Sequence, residues 1–349
     1  MTQIKSLQNK AFFSTLPCME GQIYKIHSDF YYVQNEGKTF ECKIREVLKK
    51  QQIRIVVGDF VDFDNGVISK VLPRKTFIPR PAVANVDQII VVSAIKHPDL
   101  DFHQLNRYIA LAKYYKIPVV LCFNKEDLGT DNATPEKIRS IYEPIGYKTL
   151  FTSALEKKGL DEFKKVLTGK VSALCGNSGV GKSSLINALN PNVHLRTKEV
   201  SEKLNRGTHT TRHCEIISIG ENTAVVDTPG FSNVKFDFML PSDVDLLFNE
   251  MIPYRDYCKY GDCLHINEDG CGVLEHIEEI DETRYESYIE FVSEAMEYKE
   301  RVKYNGRKKE SAQKLNNNRI HVKISEKKRQ ASRNTQKQQI YKEIENADE

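Results

Sequence analysis

One short segment constrains the fold of this chain more than any other. Residues 176–184 read GNSGVGKSS and match the pattern G-x4-G-K-[ST]. An apolar, strand-like stretch (VSALC) precedes the pattern, and a helix-like stretch (SSLINALN) follows it. A strand, a glycine-rich turn and a helix N-terminus form a phosphate cradle, because backbone N–H groups and the positive end of the helix face the same point. The segment therefore predicts a nucleotide-binding α/β domain, with a plain glycine-rich turn as the alternative.

The residues of this phosphate loop have distinct expected roles. The glycines allow the backbone to curl around the phosphates. Lys182 is expected to reach the β- and γ-phosphates, and the Ser183 hydroxyl is expected to bind Mg²⁺. The predicted nucleotide-binding residues here are Gly176, Asn177, Ser178, Gly179, Val180, Gly181, Lys182, Ser183 and Ser184.

Two earlier loops indicate which base is bound. The first is N-K-x-D, which ends the apolar stretch IPVVLCF, and the second is T-S-A, which ends the next strand-like stretch. The Asp127 carboxylate can accept hydrogen bonds from the ring N–H and the exocyclic amine of guanine, which adenine cannot donate. The Ala154 backbone N–H is expected to meet the guanine O6. The tetrapeptide by itself is also typical of a simple turn, but the two loops agree. The predicted base-binding residues are Asn124, Lys125, Asp127, Ser153 and Ala154.

A fourth loop, D-x-x-G, completes the set after the apolar stretch TAVVD. The Asp227 carboxylate can hold Mg²⁺ through a water molecule, and the Gly230 N–H can contact the γ-phosphate. A polar segment, residues 207–211, lies between this loop and the phosphate loop. We expect Thr211 to complete the Mg²⁺ ligands, with Thr210 as the alternative. The four loops together predict a Mg²⁺-dependent GTPase domain.

The order of these loops is unusual. The guanine loops, near positions 124 and 152, precede the phosphate loop at 176 and the D-x-x-G loop at 227, whereas ordinary GTPases have the reverse order. This order indicates a circular permutation, because opening a sheet at a surface connection and joining the old termini preserves the core contacts. Over about residues 18–290 the chain resembles the circularly permuted ribosome small subunit-dependent GTPase A family. Local segments RP (80–81), ANVD (84–87) and HTT (209–211) are also similar to that family.

The resemblance implies a fold, a catalytic group and a partner. The implied fold is an OB-like β-barrel, a circularly permuted P-loop GTPase domain and a zinc-binding, mostly helical domain. Phe231 stands where many GTPases place a water-orienting glutamine. The resemblance implies that His209 assists hydrolysis instead, alongside Lys182 and Thr211. The implied partners are the small (30S) ribosomal subunit and its 16S rRNA during late assembly, with GTP and GDP as ligands.

A cluster of cysteines and one histidine predicts a metal site. Cys258, Cys263, His265 and Cys271 follow the spacing C-x4-C-x-H-x5-C. Three thiolates and an imidazole suit tetrahedral Zn²⁺ and leave no open coordination position, so we expect one structural zinc ion per chain. Scattered structural cysteines are the alternative. The other five, Cys18, Cys42, Cys122, Cys175 and Cys214, mostly lie in or beside predicted strands, as buried thiols do.

The predicted elements divide the chain into parts. Residues 20–72 contain five short strand-like segments separated by turns, which favours a five-stranded OB barrel over a β-module that is only a spacer. From about residue 78, apolar strands alternate with amphipathic helices, which indicates a mostly parallel sheet; Pro79 and Pro81 mark the linker. The predicted domains are an OB-fold domain (1–75), a permuted GTPase domain (76–235), a zinc-binding domain (236–298) and a basic C-terminal tail (299–349).

Charge is concentrated at one end of the chain. Residues 299–349 carry 15 Lys and Arg against 7 Asp and Glu, whereas residues 1–298 carry 36 against 41. A basic tail of this kind is either a solvated extension or an arm that neutralises nucleic-acid phosphates. Charge alone leaves both interpretations open.

Several other classes of protein are disfavoured. The longest apolar runs are about seven residues, far below the roughly 18 needed for a membrane-spanning helix. The N-terminal residues lack a secretory signal, so we expect a cytoplasmic protein whose cysteines are thiols or metal ligands. We also expect the protein to be a monomer. An rRNA-binding module that uses GTP only as a structural or regulatory ligand is the main rival. An adenine-specific ATPase is a second alternative. Asn124 and Asp127 make it less favoured, because the N-K-x-D loop suits guanine.

Overall fold

The computed structural model describes residues 18–51, 53–129, 134–190, 193, 214–227, 235–236, 238–305, 313–316 and 319–322. The chain divides into two compact units, one ending at Arg74 and one beginning at Lys75. Within the described residues, no helix is both long enough and apolar enough to cross a membrane.

The first unit is a five-stranded barrel, as predicted. Its elements are β1 (Met19–His27), β2 (Phe30–Asn35), β3 (Lys38–Ile44), α1 (Glu46–Lys50), β4 (Phe60–Asp64) and β5 (Val67–Val71). β1 pairs with β2 and β4, β2 with β3, and β5 with both β3 and β4, so the pairing closes on itself. Alternate residues such as Ile23, Val61 and Phe63 point inward and are fully buried.

The fourth of the five strand-like segments in the sequence, IRIVVGDFVDF (residues 53–63), was predicted to be one strand, and this prediction is wrong in its first half. The strand begins only at Phe60, and the preceding residues form an irregular segment built around Asp59. The buried Asp59 carboxylate accepts a hydrogen bond from the Val56 N–H at 2.8 Å and pairs with Arg74 at 2.7 Å. Apolar residues 55–57 are buried here outside a regular strand, although Gly58 and Asp59 exchange backbone hydrogen bonds with Ile23 of β1. Hydrophobicity alone does not distinguish such a segment from a strand.

The second unit begins with a small hairpin, β6 (Phe77–Pro79) and β7 (Ala82–Ala84), where a linker was predicted. A six-stranded sheet follows, with β8 (Gln88–Ala94), β9 (Val119–Asn124), β10 (Lys148–Thr152), β11 (Val171–Cys175), β12 (Glu215–Gly220) and β13 (Thr223–Asp227). The strand order is β10-β9-β8-β11-β13-β12. All neighbours are parallel except β12 and β13.

Helices connect these strands as the sequence predicts. They are α2 (Phe102–Tyr114), α3 (Pro135–Tyr142), α4 (Leu160–Leu167) and α5 (Lys182–Leu189). α2 begins where the Asp101 side chain accepts a hydrogen bond from the Gln104 N–H at 3.0 Å, and α3 begins similarly at Thr134. Helices cover a sheet whose β8 strand is buried along almost its whole length, as in sheets that are covered on both faces. The carboxyl ends of β8, β9, β10, β11 and β13 consequently share one edge, where ligands bind in such sheets.

The C-terminal part of this unit is mostly helical, as predicted. A 3₁₀ helix (Pro241–Leu247) is followed by α6 (Ile252–Arg255), α7 (Gly272–Glu275) and α8 (Glu282–Asn305). Its core includes Phe236, Phe248 and Phe291, which join Ala110 and Leu111 of α2 in one apolar cluster. Beyond α8, a hairpin of β14 (Gln313–Asn316) and β15 (Arg319–Val322), absent from the sequence prediction, lies in the basic tail.

Candidate nucleotide site and metal centre

The phosphate loop runs from the end of β11 to the start of α5, as its pattern predicts. Two of its glycines are sterically required. A Cβ on Gly176, whose φ is 140°, would lie 1.9 Å from the Val92 carbonyl oxygen. A Cβ on Gly181, whose φ is 95°, would lie 2.3 Å from the Asn124 amide nitrogen. The loop therefore lies directly against the ends of β8 and β9.

Lys182 lies over the backbone of the same loop. Its Nζ donates hydrogen bonds to the carbonyl oxygens of Gly176 at 2.8 Å and Asn177 at 2.9 Å. Ser183 and Ser184 are half-buried in the first turn of α5, while Ser178 and Gly179 are exposed. The lysine thus places a cation beside exposed backbone at a helix N-terminus, which suits an anionic ligand.

Asn124 joins three of the predicted loops to one another. Its Nδ2 donates to the Val180 carbonyl oxygen of the phosphate loop at 2.9 Å. Its Oδ1 accepts from the Thr152 hydroxyl at 3.3 Å and from the Ala154 N–H at 3.2 Å. The Asn124 side chain is almost completely buried. Asn124 therefore fixes the positions of the three loops relative to one another. The Ala154 N–H, which was predicted to contact guanine, donates to the Asn124 side chain in this structure.

The other residues of the guanine loops surround this junction. Lys125 adopts a left-handed backbone conformation, and its Nζ donates to the His97 carbonyl oxygen. Asp127 lies exposed in a 3₁₀ helix, Glu126–Leu128. The buried Ser153 hydroxyl accepts from the Glu156 N–H at 3.0 Å and shapes the second loop. A carboxylate is the type of acceptor that the N–H groups of guanine require, and the contact of Asp127 with guanine stays a prediction.

Sequence reasoning missed one residue at this site. Tyr108 of α2 is buried, and its hydroxyl donates to the Asn177 Oδ1 of the phosphate loop at 3.1 Å. Burial raises the pKa of Tyr108 strongly, so the hydroxyl remains a donor. The only signal in the sequence is a tyrosine on the apolar face of a helix, which is equally typical of an ordinary core residue.

Part of the predicted site lies outside the described residues. Asp227 ends β13 beside Leu174 of β11, so its backbone lies at the same sheet edge as the phosphate loop. His209, Thr210, Thr211, Gly230 and Phe231 fall in segments that the structure does not describe. Their roles remain predictions.

The predicted metal ligands come together in the C-terminal part. The ligand atoms of Cys258, Cys263, His265 and Cys271 all lie within 4.8 Å of one another. The Cys258 and Cys271 sulfurs are 3.9 Å apart, and the His265 Nδ1 lies 3.5 and 3.3 Å from these two sulfurs. Bond lengths around tetrahedral zinc require about 3.8 Å between two sulfurs and about 3.6 Å between sulfur and nitrogen. The donor set therefore fits zinc.

The thiols of this cluster differ in their surroundings. Burial raises the pKa of Cys263 to about 12, so this thiol stays protonated near neutral pH unless a cation is bound beside it. Cys271 is the N-cap of α7, and its sulfur accepts from the Leu274 N–H at 3.4 Å. Of the other cysteines, Cys42, Cys122, Cys175 and Cys214 are buried as predicted, but Cys18 is exposed.

Comparisons with known proteins cover both units. The RsgA GTPase family profile matches residues 71–237, and the RsgA N-terminal domain profile matches residues 20–67. A protein of Agathobacter rectalis named small ribosomal subunit biogenesis GTPase RsgA is 41% identical over 290 residues, covering 77% of this chain and 96% of the relative. A protein of the same name from Geobacillus sp. (strain WCH70) is 42% identical over 291 residues, covering 81% and 99%.

Two solved structures share the fold. The crystal structure of YjeQ from Thermotoga maritima has a TM-score of 0.69 and 34% identity, covering 79% of this chain and 98% of that one. The structure of YloQ, described as a circularly permuted GTPase, has a TM-score of 0.65 and 29% identity, covering 81% and 96%. Loop order, sheet topology and sequence identity agree, and the chain belongs to the RsgA family of circularly permuted GTPases.

Proposed function

We propose that this protein binds the small ribosomal subunit and hydrolyses GTP during late assembly of that subunit. Binding to the subunit stimulates the hydrolysis. The observation that carries the proposal is the junction at Asn124, where one buried side chain bonds both guanine loops and the phosphate loop. A nucleotide that spans these loops contacts base-reading and phosphate-binding groups together. The names of the relatives supply the ribosomal context.

The proposed nucleotide contacts follow from the loops. Asp127 accepts hydrogen bonds from guanine, and the Lys125 side chain covers the base plane. The phosphate loop wraps the phosphates with its backbone N–H groups, and Lys182 neutralises their charge once it exchanges the loop carbonyls for phosphate oxygens. His209 assists hydrolysis from the segment before β12.

Mg²⁺ bound with GTP supplies charge neutralisation at the phosphates. Its proposed ligands are the hydroxyls of Ser183 and Thr211, with Asp227 acting through water. Gly230 contacts the γ-phosphate. The D-x-x-G loop leads directly into the zinc-binding part, so a nucleotide-dependent change in that loop can reach the surface that docks on the subunit.

The remaining proposals concern organisation. A zinc ion held by Cys258, Cys263, His265 and Cys271 stabilises the segment around residues 250–290. The domains span residues 1–75, 76–235 and 236–298, followed by a basic tail at 299–349. The barrel and the tail contact 16S rRNA, and the protein acts as a cytoplasmic monomer.

A turnover measurement tests the proposal. GTP hydrolysis is followed with and without purified small subunits, using the full-length zinc-loaded protein. We expect multiple turnovers that the subunit accelerates, and tighter subunit binding with a non-hydrolysable GTP analogue than with GDP. Large ribosomal subunits serve as the matched control and should give no acceleration.

Two results would contradict it. Equal subunit affinity for the analogue and GDP forms, together with no stimulation, would leave an rRNA-binding module whose nucleotide is only structural. ATP that competes equally with GTP would instead favour an adenine-accepting enzyme.

Lys182→Ala and Ser183→Ala should each lower turnover or GTP binding with the fold intact.

A further inference from the structure

A buried carboxylate lies directly behind the metal cluster. The Asp245 Oδ2, on the 3₁₀ helix Pro241–Leu247, is 3.3 Å from the Nε2 of His265. Both side chains are nearly inaccessible to solvent, at 4% and 3% exposure. No other carboxylate contacts this ring within the described residues, and no sequence pattern distinguishes Asp245 from other acidic residues.

The two nitrogens of His265 face different groups. Nδ1 faces the sulfurs of Cys258 and Cys271, whereas Nε2 faces Asp245. A neutral imidazole carries its proton on one nitrogen and offers a lone pair on the other. A carboxylate can only accept, so Nε2 carries the proton and Nδ1 keeps the lone pair that a metal requires.

The carboxylate is itself held in place. Arg255 of α6 places its Nε 3.1 Å from the same Oδ2 of Asp245. The second oxygen, Oδ1, is buried without a hydrogen-bond partner in the described part of the chain. The histidine and the arginine are therefore the main hydrogen-bonding partners of this carboxylate. Burial of a charge with so few partners costs folding free energy, which points to a functional reason for its presence.

We propose that Asp245 is a positioning residue for the zinc site: it fixes the ring orientation and tautomer of His265 so that Nδ1 binds the metal. This inference rests on the proposed zinc site. Carboxylates in this outer position raise the basicity of the ligating histidine, and their loss typically weakens metal binding 10- to 100-fold. Asp245 also precedes the first cysteine ligand by 13 positions, so it connects the metal to the segment that follows the D-x-x-G loop.

Zinc affinity measured against a chromogenic chelator tests the inference on the full chain. We expect Asp245→Ala to weaken zinc binding by about 10- to 100-fold. Asp245→Asn should recover part of the loss, because an amide oxygen can still accept the Nε2 proton. Asp262→Asn removes an exposed carboxylate from the ligand-bearing segment and should leave affinity unchanged within about twofold.

Controls separate positioning from a general loss of structure. Arg255→Gln breaks the ion pair with Asp245 but leaves the histidine contact, so it should weaken zinc binding less than Asp245→Ala does. With Co²⁺ in place of zinc, Asp245→Ala should also change the visible absorption of the site, which a purely structural effect elsewhere would not alter. Far-UV circular dichroism, which reports the helices of the metal-bearing part, checks that each variant is folded.

The wild-type protein provides a test that needs no variant. Proton–nitrogen correlation spectra of zinc-loaded, ¹⁵N-histidine-labelled protein should show the His265 proton on Nε2 and metal on Nδ1. Metal on Nε2, or zinc affinity in Asp245→Ala equal to that in Asp262→Asn, would overturn the inference while the zinc site itself stands. A wild-type chain that binds no zinc would instead refute the proposed zinc site.

Discussion

At the scale of single residues, the nucleotide site depends on groups that a ligand does not need to touch. Asn124 uses both ends of its amide to join segments that are 28 and 56 positions away along the chain. Tyr108 supports Asn177 in the same manner from α2. These side chains set the distances between the loops. The exposed Asp127 side chain therefore projects from a loop whose position is already fixed before a ligand binds.

We expect Asn124→Ala to destabilise the protein by about 1–3 kcal/mol, because it leaves buried backbone and hydroxyl groups without partners. GTP affinity should fall as well, since the loops lose their common anchor. Urea denaturation and nucleotide titration measure the two effects. Asn267→Ala, at an exposed position, is the control; an equal effect in both variants would contradict the role assigned to Asn124.

Asp127→Asn should change the preferred base from guanine towards xanthine. The amide donates a hydrogen bond where the carboxylate accepted one, so it complements the additional carbonyl of xanthine. Loss of a charged hydrogen bond predicts at least a ~10-fold fall in GTP affinity. Competition between GTP and XTP measures the change. Unaltered GTP affinity with no gain for XTP would refute the assignment of the guanine loop.

Residue patterns explain which parts of the site could be predicted. The phosphate loop and the guanine loops follow local sequence rules, so their residues could be named without coordinates. Tyr108 and Asp245 could not, because each acts across the fold on a residue distant in sequence. A buried tyrosine or aspartate carries no local pattern that separates such a role from ordinary packing.

At the scale of elements, α2 is fastened to α8 by a buried polar seam. The Asn106 Nδ2 donates to the Ser287 hydroxyl at 2.9 Å, and its Oδ1 accepts from Tyr142 at 2.9 Å and Arg284 at 3.1 Å. Arg107 adds bonds of 2.8 Å to two glutamates of α8. One face of α2 therefore holds the C-terminal part while Tyr108 reaches the phosphate loop.

Asn106→Ala should be strongly destabilising, by about 2–4 kcal/mol, because several buried donors and acceptors lose partners together. His103→Ala on the same helix removes half-exposed contacts to glutamates and a 3.1 Å contact with the Ser287 hydroxyl, which keeps its bonds to Asn106 and Thr283, so it should cost less than about 1 kcal/mol. Thermal or urea unfolding compares the two. Similar losses in both variants would mean that the seam contributes little beyond a surface contact.

The predicted elements of the sheet agree closely with the structure because β8 to β11 are apolar runs and their helices are amphipathic. The short elements were missed for a physical reason. α1, the β6–β7 hairpin and the β14–β15 hairpin are each too short for periodicity to stand out from turn residues. Their formation depends on tertiary contacts or on pairing between two short segments.

At the scale of the whole molecule, helix α2 of the GTPase part and the metal-bearing part share one apolar cluster. Cys263 and Cys271 belong to the same cluster as Ala110 and Leu111 of α2. The family fold, the barrel and the circular permutation could be predicted from the sequence, because they depend on the order of the loops and on the periodicity of apolar residues. The boundary near residue 235 stays a prediction, since a shared core does not mark where one cooperative unit ends.

Removal of zinc tests that boundary. We expect Cys271→Ala to lose the metal and to unfold the segment around residues 250–290, with a fall in Tm of about 10 °C if zinc contributes ~4 kcal/mol. GTP binding should persist, because the bonds made by Asn124 involve none of the metal ligands. Metal analysis, thermal unfolding and nucleotide titration follow each property. Parallel loss of metal and nucleotide binding would show a single cooperative unit.

The basic tail should contribute to RNA affinity through charge. Residues 306–349 carry 12 Lys and Arg against 6 Asp and Glu, and their deletion leaves α8 intact. If four of these cations contact phosphates, the slope of log affinity against log salt should fall by about 3. Binding to small subunits at several salt concentrations measures it. An unchanged slope would favour the solvated extension.

Strands that are neighbours in the sheet are synthesised at different times. Of the six strands of this sheet, β8, β9 and β10 are synthesised first and can form a three-stranded parallel half-sheet that already bears both guanine loops. The free edge of β8 must then wait for β11, at residues 171–175, and β13 follows only at residues 223–227. At ~5–20 residues per second, synthesis from the end of β10 at Thr152 to the start of β11 at Val171 takes about 1–4 s. During that interval an apolar strand edge is exposed, so the nascent chain is most prone to mispairing before its phosphate loop exists.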